Sequence, residues 1–151
     1  MGPWTILVAV DFSECSRAAL EAAGRLAADL RARIVLAHAF AKPPHIPPGG
    51  HPDPISKAML EVTQEEAMAL SSDWAQGLRR QGLDVEVATV EGKAADFVLD
   101  AARTRNAGLI VVGTHGRTGL RRVALGSVAE AILRGADRPV LAVPLAGKGR
   151  K

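Results

Sequence analysis

The residues best suited to chemistry lie in one stretch, Gly113-Thr114-His115-Gly116-Arg117-Thr118-Gly119-Leu120-Arg121-Arg122-Val123-Ala124-Leu125-Gly126-Ser127. The apolar run Leu109-Ile110-Val111-Val112 leads into Gly113, and helical spacing resumes at Gly126-Ser127. Glycines at these points let a backbone come close to a ligand and adopt positive φ. Amide N–H groups of the turn, with those left free at the helix start, can then converge on an anion. Ser127 adds a hydroxyl donor, and Arg117, Arg121 and Arg122 add positive charge nearby. The chemistry implied is a phosphate cradle without a lysine-tipped P-loop, because GxxxxGK[ST] is absent. With glycine at roughly a tenth of the chain, three glycines and a Ser or Thr at this spacing arise by composition about once in a hundred such chains. A ligand site therefore outweighs a glycine-shaped surface turn.

Other reactive side chains give weaker signals. Asp11, at the end of the first apolar run, reads either as a helix-start residue or as a group for a ribose or a metal-bound water. His115 reads as a solvated loop residue more than a general base, since no carboxylate is identifiable to orient it. Cys15 falls in the first turn of a helix and reads as a small buried hydrophobe. His38 reads as core or pocket wall, and His45 and His51 as loop histidines with only Asp53 near ligand spacing.

The elements that must position the glycine stretch follow from periodicity. Residues 4–10 and 33–40 form apolar runs of the kind buried on both faces of a sheet. Ser13 is a good N-cap for a helix over 14–32, marked by Ala19, Ala23, Leu26 and Leu30. Six prolines and two glycines in 41–54 exclude a helix or inner strand and predict a long surface loop. Met59, Val62, Ala67, Leu70, Trp74 and Leu78 mark one face of a helix over 55–81, ended at Gly82. In 83–90, Leu83, Val85 and Val87 alternate with Asp84 and Glu86, the pattern of a half-exposed edge strand. A helix over 93–105, the strand 109–112, a helix over 126–135 and a strand Pro139–Val143 complete the chain. Strands alternating with helices predict an α/β fold, a mostly parallel five-stranded sheet with helices on both faces. Ligands of such sheets bind at the carboxyl ends of the strands, where the strand order reverses.

With 151 residues, one domain over 1–145 is expected, followed by a basic tail over 146–151. A single cysteine excludes an intramolecular disulfide framework. No apolar run reaches the ~20 residues that span a bilayer, and no signal-peptide pattern opens the chain, so a cytoplasmic location without membrane attachment is expected. Lys and Arg exceed Asp and Glu by only 19 to 16, and five aromatic residues are too few for a base-stacking platform. Nucleic acid is thereby demoted as a partner.

The glycine set Gly113-x2-Gly116-x9-Gly126-Ser127 resembles the nucleotide loop of the ATP-binding branch of the universal stress protein family. Ser127–Leu133, Arg138–Val143 and the opening Ile6–Val10 with Asp11-Phe12-Ser13 extend the resemblance over nearly the whole chain. It implies a sheet of order 3-2-1-4-5, Rossmann-like in class, and a homodimer built largely through the last strand. The edge pattern at 83–90 agrees independently with an outermost third strand. Carried over by position, Ala9, Val10 and Asp11 lie at adenine and ribose, and Ala39 lines the base pocket. Val112 and Gly113 flank the ribose, while Gly116, Gly126, Ser127 and Val128 hold the phosphates, with Arg117 beside them. Gly108 replaces the acid usual before the fourth strand, an exchange expected to affect only the local turn. The proline-rich loop is distinctive, so its protein partner is not inferable from relatives.

The resulting expectation is a dimeric regulatory module of the stress response that binds ATP, with Mg²⁺ on the phosphates. No catalytic residue and no side-chain metal cage is assigned. An ATPase or phosphotransferase is disfavoured by the missing Walker lysine and kinase motifs, slow hydrolysis apart. A nucleotide-free dimeric scaffold is the other alternative. A flavodoxin lacks its glycine-containing phosphate turn here, and a response regulator its acid cluster.

Overall fold

The apolar runs Thr5–Ala9, Arg33–Phe40 and Leu109–Gly113 are largely buried on both faces, and half-exposed strands at Val85–Glu91 and Val140–Val143 flank them as sheet edges. The computed structural model describes residues 2–40, 48–50, 64–116 and 125–145. Its elements follow in the order β1 (Thr5–Ala9), α1 (Glu14–Leu30), β2 (Arg33–Phe40), α2 (Gln64–Arg79), β3 (Val85–Glu91), α3 (Ala94–Thr104), β4 (Leu109–Gly113), α4 (Ser127–Gly135) and β5 (Val140–Val143). All strand pairs are parallel, and the sheet order is β3-β2-β1-β4-β5. The α/β fold with an outermost third strand is therefore the one expected. Most of the 41–54 loop with His45 and His51, the 55–63 stretch, Arg117, Arg121, Arg122 and the tail from 146 lie outside the described residues.

The strand alternation divides the core into two layers. Ile6, Val8 and Val10 point to α1 and α2, where Ala19, Ala23, Trp74 and Leu78 cover them. Leu7 and Ala9 point the other way, to Val98 and Ala101 of α3 and Ala129 and Ile132 of α4. Burial of β1 on both faces makes it the sheet's centre, with β2 on one side and β4 on the other. That is where the strand order reverses, so the ends of β1 and β4 frame the crevice that such sheets offer to ligands. Among the described helices none is long and apolar enough to cross a membrane.

Two helix faces differ from the expected ones. On α2 the buried set is Ala67, Ser71, Trp74, Ala75 and Leu78, and Leu70 is exposed. The i, i+4 step from Ala67 puts Ser71 on the buried face and leaves Leu70 off it. α1 ends at Leu30, which is exposed, because Arg31 turns left-handed at φ 52° and stops the helix.

Gly108 proves to be more than a local turn. Its N–H donates to the Thr5 carbonyl at 2.9 Å, which brings it beneath the indole of Trp4. A Cβ at residue 108 would lie 1.9 Å from Trp4 Nε1. Gly108→Ala should swing Trp4 outward, shift tryptophan emission to the red and cost about 1 kcal/mol in chemical unfolding. Unchanged emission would show that the indole does not rest there.

Candidate functional site

The turn after β1 is built around one carboxylate. Asp11 Oδ1 accepts from the Ser13 backbone N–H at 3.0 Å and from the Ser13 hydroxyl. Ser13 in turn caps α1, its Oγ accepting from Ser16 N–H at 3.1 Å. Asp11 braces the helix start and also lines a pocket. Between them, Phe12 stands at φ 63°, a left-handed conformation that costs a bulky residue about 1–2 kcal/mol. Its ring packs at 4.5 Å from the His38 ring and edge-on to Trp74 at 5.2 Å.

The loop after β4 reaches the same place by close backbone approach. Gly113 packs on the start of α1, where an added Cβ would lie 2.9 Å from Cys15 Sγ and 3.0 Å from the Cys15 backbone. A Cβ on Gly116 would lie 2.8 Å from Asp11 Oδ2, a carboxylate already tethered through its other oxygen. Gly126 N–H donates to the Thr114 carbonyl at 2.6 Å, and a Cβ there would sit 3.1 Å from that carbonyl. None of the three has positive φ, contrary to the expectation from sequence. Close contact, tightest at Gly113 and Gly116, and not conformation, is what favours glycine at these positions.

These approaches enclose a pocket of about 280 Å³ at the carboxyl ends of β1, β2 and β4. Ala9, Val10, Asp11, Ala39, Val112, Gly113, Gly116, Gly126, Ser127 and Val128 all line it. Ten of the eleven residues named from sequence are therefore brought together, and Arg117 lies outside the described residues. The inner end is apolar and walled by small side chains, Ala9, Ala37 and Ala39 from the strands and Ala94 and Val98 from α3. At the outer end α4 begins with Gly126 as N-cap, which offers no side chain to the first-turn N–H groups. α1 shows the contrast, because Ser13 spends its hydroxyl on that task. An uncapped helix start carries partial positive charge and aims N–H donors outward, which suits an anion.

Sequence reading missed Ser16, Ala37, Ala94, Val98, Thr114 and Ala129 as lining residues. Ala37 could have been found, being two residues before Ala39 and so on the same strand face. Ala94 and Val98 carry no local mark, since only packing brings α3 over the strand ends. His115 is half-buried on the pocket wall, with Nδ1 3.0 Å from Thr114 Oγ1, and not merely a solvated loop residue. His38 belongs to the opposite face of the sheet, under Phe12, and so to the core. Cys15 is buried as expected, its thiol 3.4 Å from the Val143 carbonyl. No cluster of three metal-binding side chains occurs among the described residues.

Residues 4–144 match the universal stress protein family. The chain belongs to that family. It is 32% identical to Universal stress protein A homolog 1 of Coxiella burnetii over 138 residues, covering 91% of this chain and 94% of that one. Among solved structures, a universal stress protein family member from Burkholderia pseudomallei is 35% identical and superposes with a TM-score of 0.70, over 93% of this chain and 96% of its own. A universal stress protein solved in complex with cAMP is 26% identical, with a TM-score of 0.67 over 97% of this chain and all of its own. The pocket of this universal stress protein depends on the turn after β1, so its brace can be tested alone. Ser13→Ala should destabilise the fold by about 1 kcal/mol through the lost cap. Thermal unfolding measures it, and an unchanged midpoint would remove the cap from the account.

Proposed function

We propose that the chain binds ATP in this pocket and acts as a regulatory module of the stress response. The observation that carries the reading is the uncapped start of α4 opening, beside Gly113 and Gly116, onto a pocket whose other end is apolar. A ligand satisfying both ends has a flat apolar part and an anionic part, which is the composition of a nucleotide. The related structure with bound cAMP supports an adenine base and a phosphate as those parts. Ala9 and Ala39 leave room for the base, Asp11 and Val112 flank the ribose, and Gly116, Gly126, Ser127 and Val128 receive the phosphates, joined by Arg117.

Mg²⁺ fits as a companion of the phosphates. Asp11 is the one carboxylate among the described lining residues, and hard cations take oxygen ligands from carboxylate and phosphate together. The ion would be held by the nucleotide and Asp11, and would neutralise phosphate charge there. No residue is assigned to hydrolysis, and regulation by occupancy is preferred over turnover. Titration calorimetry with ATP and Mg²⁺ should give binding that Gly126→Val weakens at least tenfold, or about 1.4 kcal/mol. Equal affinity in the two proteins would reject the site.

The same reading includes a homodimer through the last strand. Among the described residues β5 pairs with β4 alone and forms the edge of the sheet, with Leu141 exposed on it. Such an edge is stabilised by pairing with another chain. Sedimentation should give a dimer for the native sequence and a monomer for Leu141→Asp. A monomer in both would overturn the dimer without touching the nucleotide site.

A further inference from the structure

The turn that carries Asp11 is held from outside the pocket. Phe12 cannot rest in its left-handed conformation without support, and the support is visible as a stack across the α1–α2 face of the sheet. The Arg17 guanidinium lies 4.3 Å over the Trp74 ring, Trp74 meets Phe12 edge-on, and Phe12 leans on His38. His38 Nδ1–H donates to the Val10 carbonyl at 2.7 Å, immediately before the turn. Both ends of the Val10-Asp11-Phe12 segment are therefore pinned to side chains of β2 and α2. Asp11 stands between those pins, and its free oxygen lies against Gly116.

We propose that Phe12, clamped by Trp74 and His38, is a positioning residue that sets the direction of the Asp11 carboxylate and thereby the affinity of the pocket. The proposal rests on the nucleotide reading above and makes α2 a lever on a site it does not line. Without the ring of Phe12, the contacts with His38 and Trp74 that offset the left-handed φ of residue 12 are lost, and relaxation to negative φ is opposed only by the bonds of Val10 and Ser13. That rotation would carry Asp11 away from Gly116 and release its bonds to Ser13.

Two readouts on the intact chain test this. Amide exchange at Ser13 and Ser16 reports the turn directly, because their N–H groups bond Asp11 Oδ1 and Ser13 Oγ. Phe12→Ala should speed exchange there at least tenfold while β1 and β4 amides stay protected, and should weaken ATP binding about tenfold. Trp74→Leu should act in the same direction, and Trp74→Phe should restore most of the affinity by keeping an edge contact. In an Asp11→Asn background, Phe12→Ala should change affinity less than threefold, since the group it positions is gone. Unchanged exchange at Ser13 and Ser16 overturns the proposal. So does faster exchange with ATP affinity within twofold of wild type, or an equal loss of affinity in both backgrounds. If the wild-type chain binds no ATP, the nucleotide reading falls and the exchange readout alone decides whether Phe12 holds the turn.

Discussion

Close approach of the glycine backbone to its neighbours at the end of β4 is the constraint from which the site follows. Gly113 lies against the first turn of α1, Gly116 against the Asp11 carboxylate, and Gly126 against the Thr114 carbonyl. A Cβ would come within 3.0 Å of its neighbour at Gly113 and Gly116 and within 3.1 Å at Gly126, so both ends of the loop lie close to the strand and α1. The helix start is then left without a side-chain cap at the mouth of a pocket. Ser13 gives α1 a side-chain cap, which neither Gly126 on α4 nor Lys93 on α3 supplies. The missing cap is a local cost that an anionic ligand can offset.

The sheet supplies what those contacts need to stay in register. β1 is buried on both faces, so its register with β2 and β4 is defined by packing on two layers at once. That rigidity carries to the strand ends, where Asp11 and Gly113 emerge side by side. The small residues at the same ends, Ala9, Ala37 and Ala39, remove volume where the core would otherwise close, and the pocket results. The pocket thus joins two features of different origin, missing side-chain volume inside and a helix start whose N-cap has no side chain outside.

Charge elsewhere in the molecule serves the frame. Glu86 on the edge strand accepts from Arg33 at 2.7 Å and from Arg105 at 2.9 Å, tying β2, β3 and the end of α3 together. Arg138 donates to the carbonyls of Ala102 and Ala107 at 2.8 Å each, closing the C-terminal end of α3 ahead of β5. These partly exposed contacts are individually modest, and their value lies in direction more than in energy.

The chain order of strands and helices, the two-faced burial of β1, the edge character of β3 and the glycine spacing were legible in the residues, because periodicity and backbone freedom are local properties. Ten pocket-lining residues could be named because they belong to motifs at strand ends, and Ala37 shared the face of Ala39. The reason for the glycines was not legible: Gly113 and Gly116 meet Cys15 and Asp11 from the start of α1, Gly126 packs on the opposite end of its own loop, and their dihedral angles demand nothing. The same holds for Gly108 under Trp4, for Ala94 and Val98 in the pocket wall, and for Phe12 held left-handed between His38 and Trp74. Such facts exist only once distant segments touch, and contact between segments is what the tertiary structure alone decides.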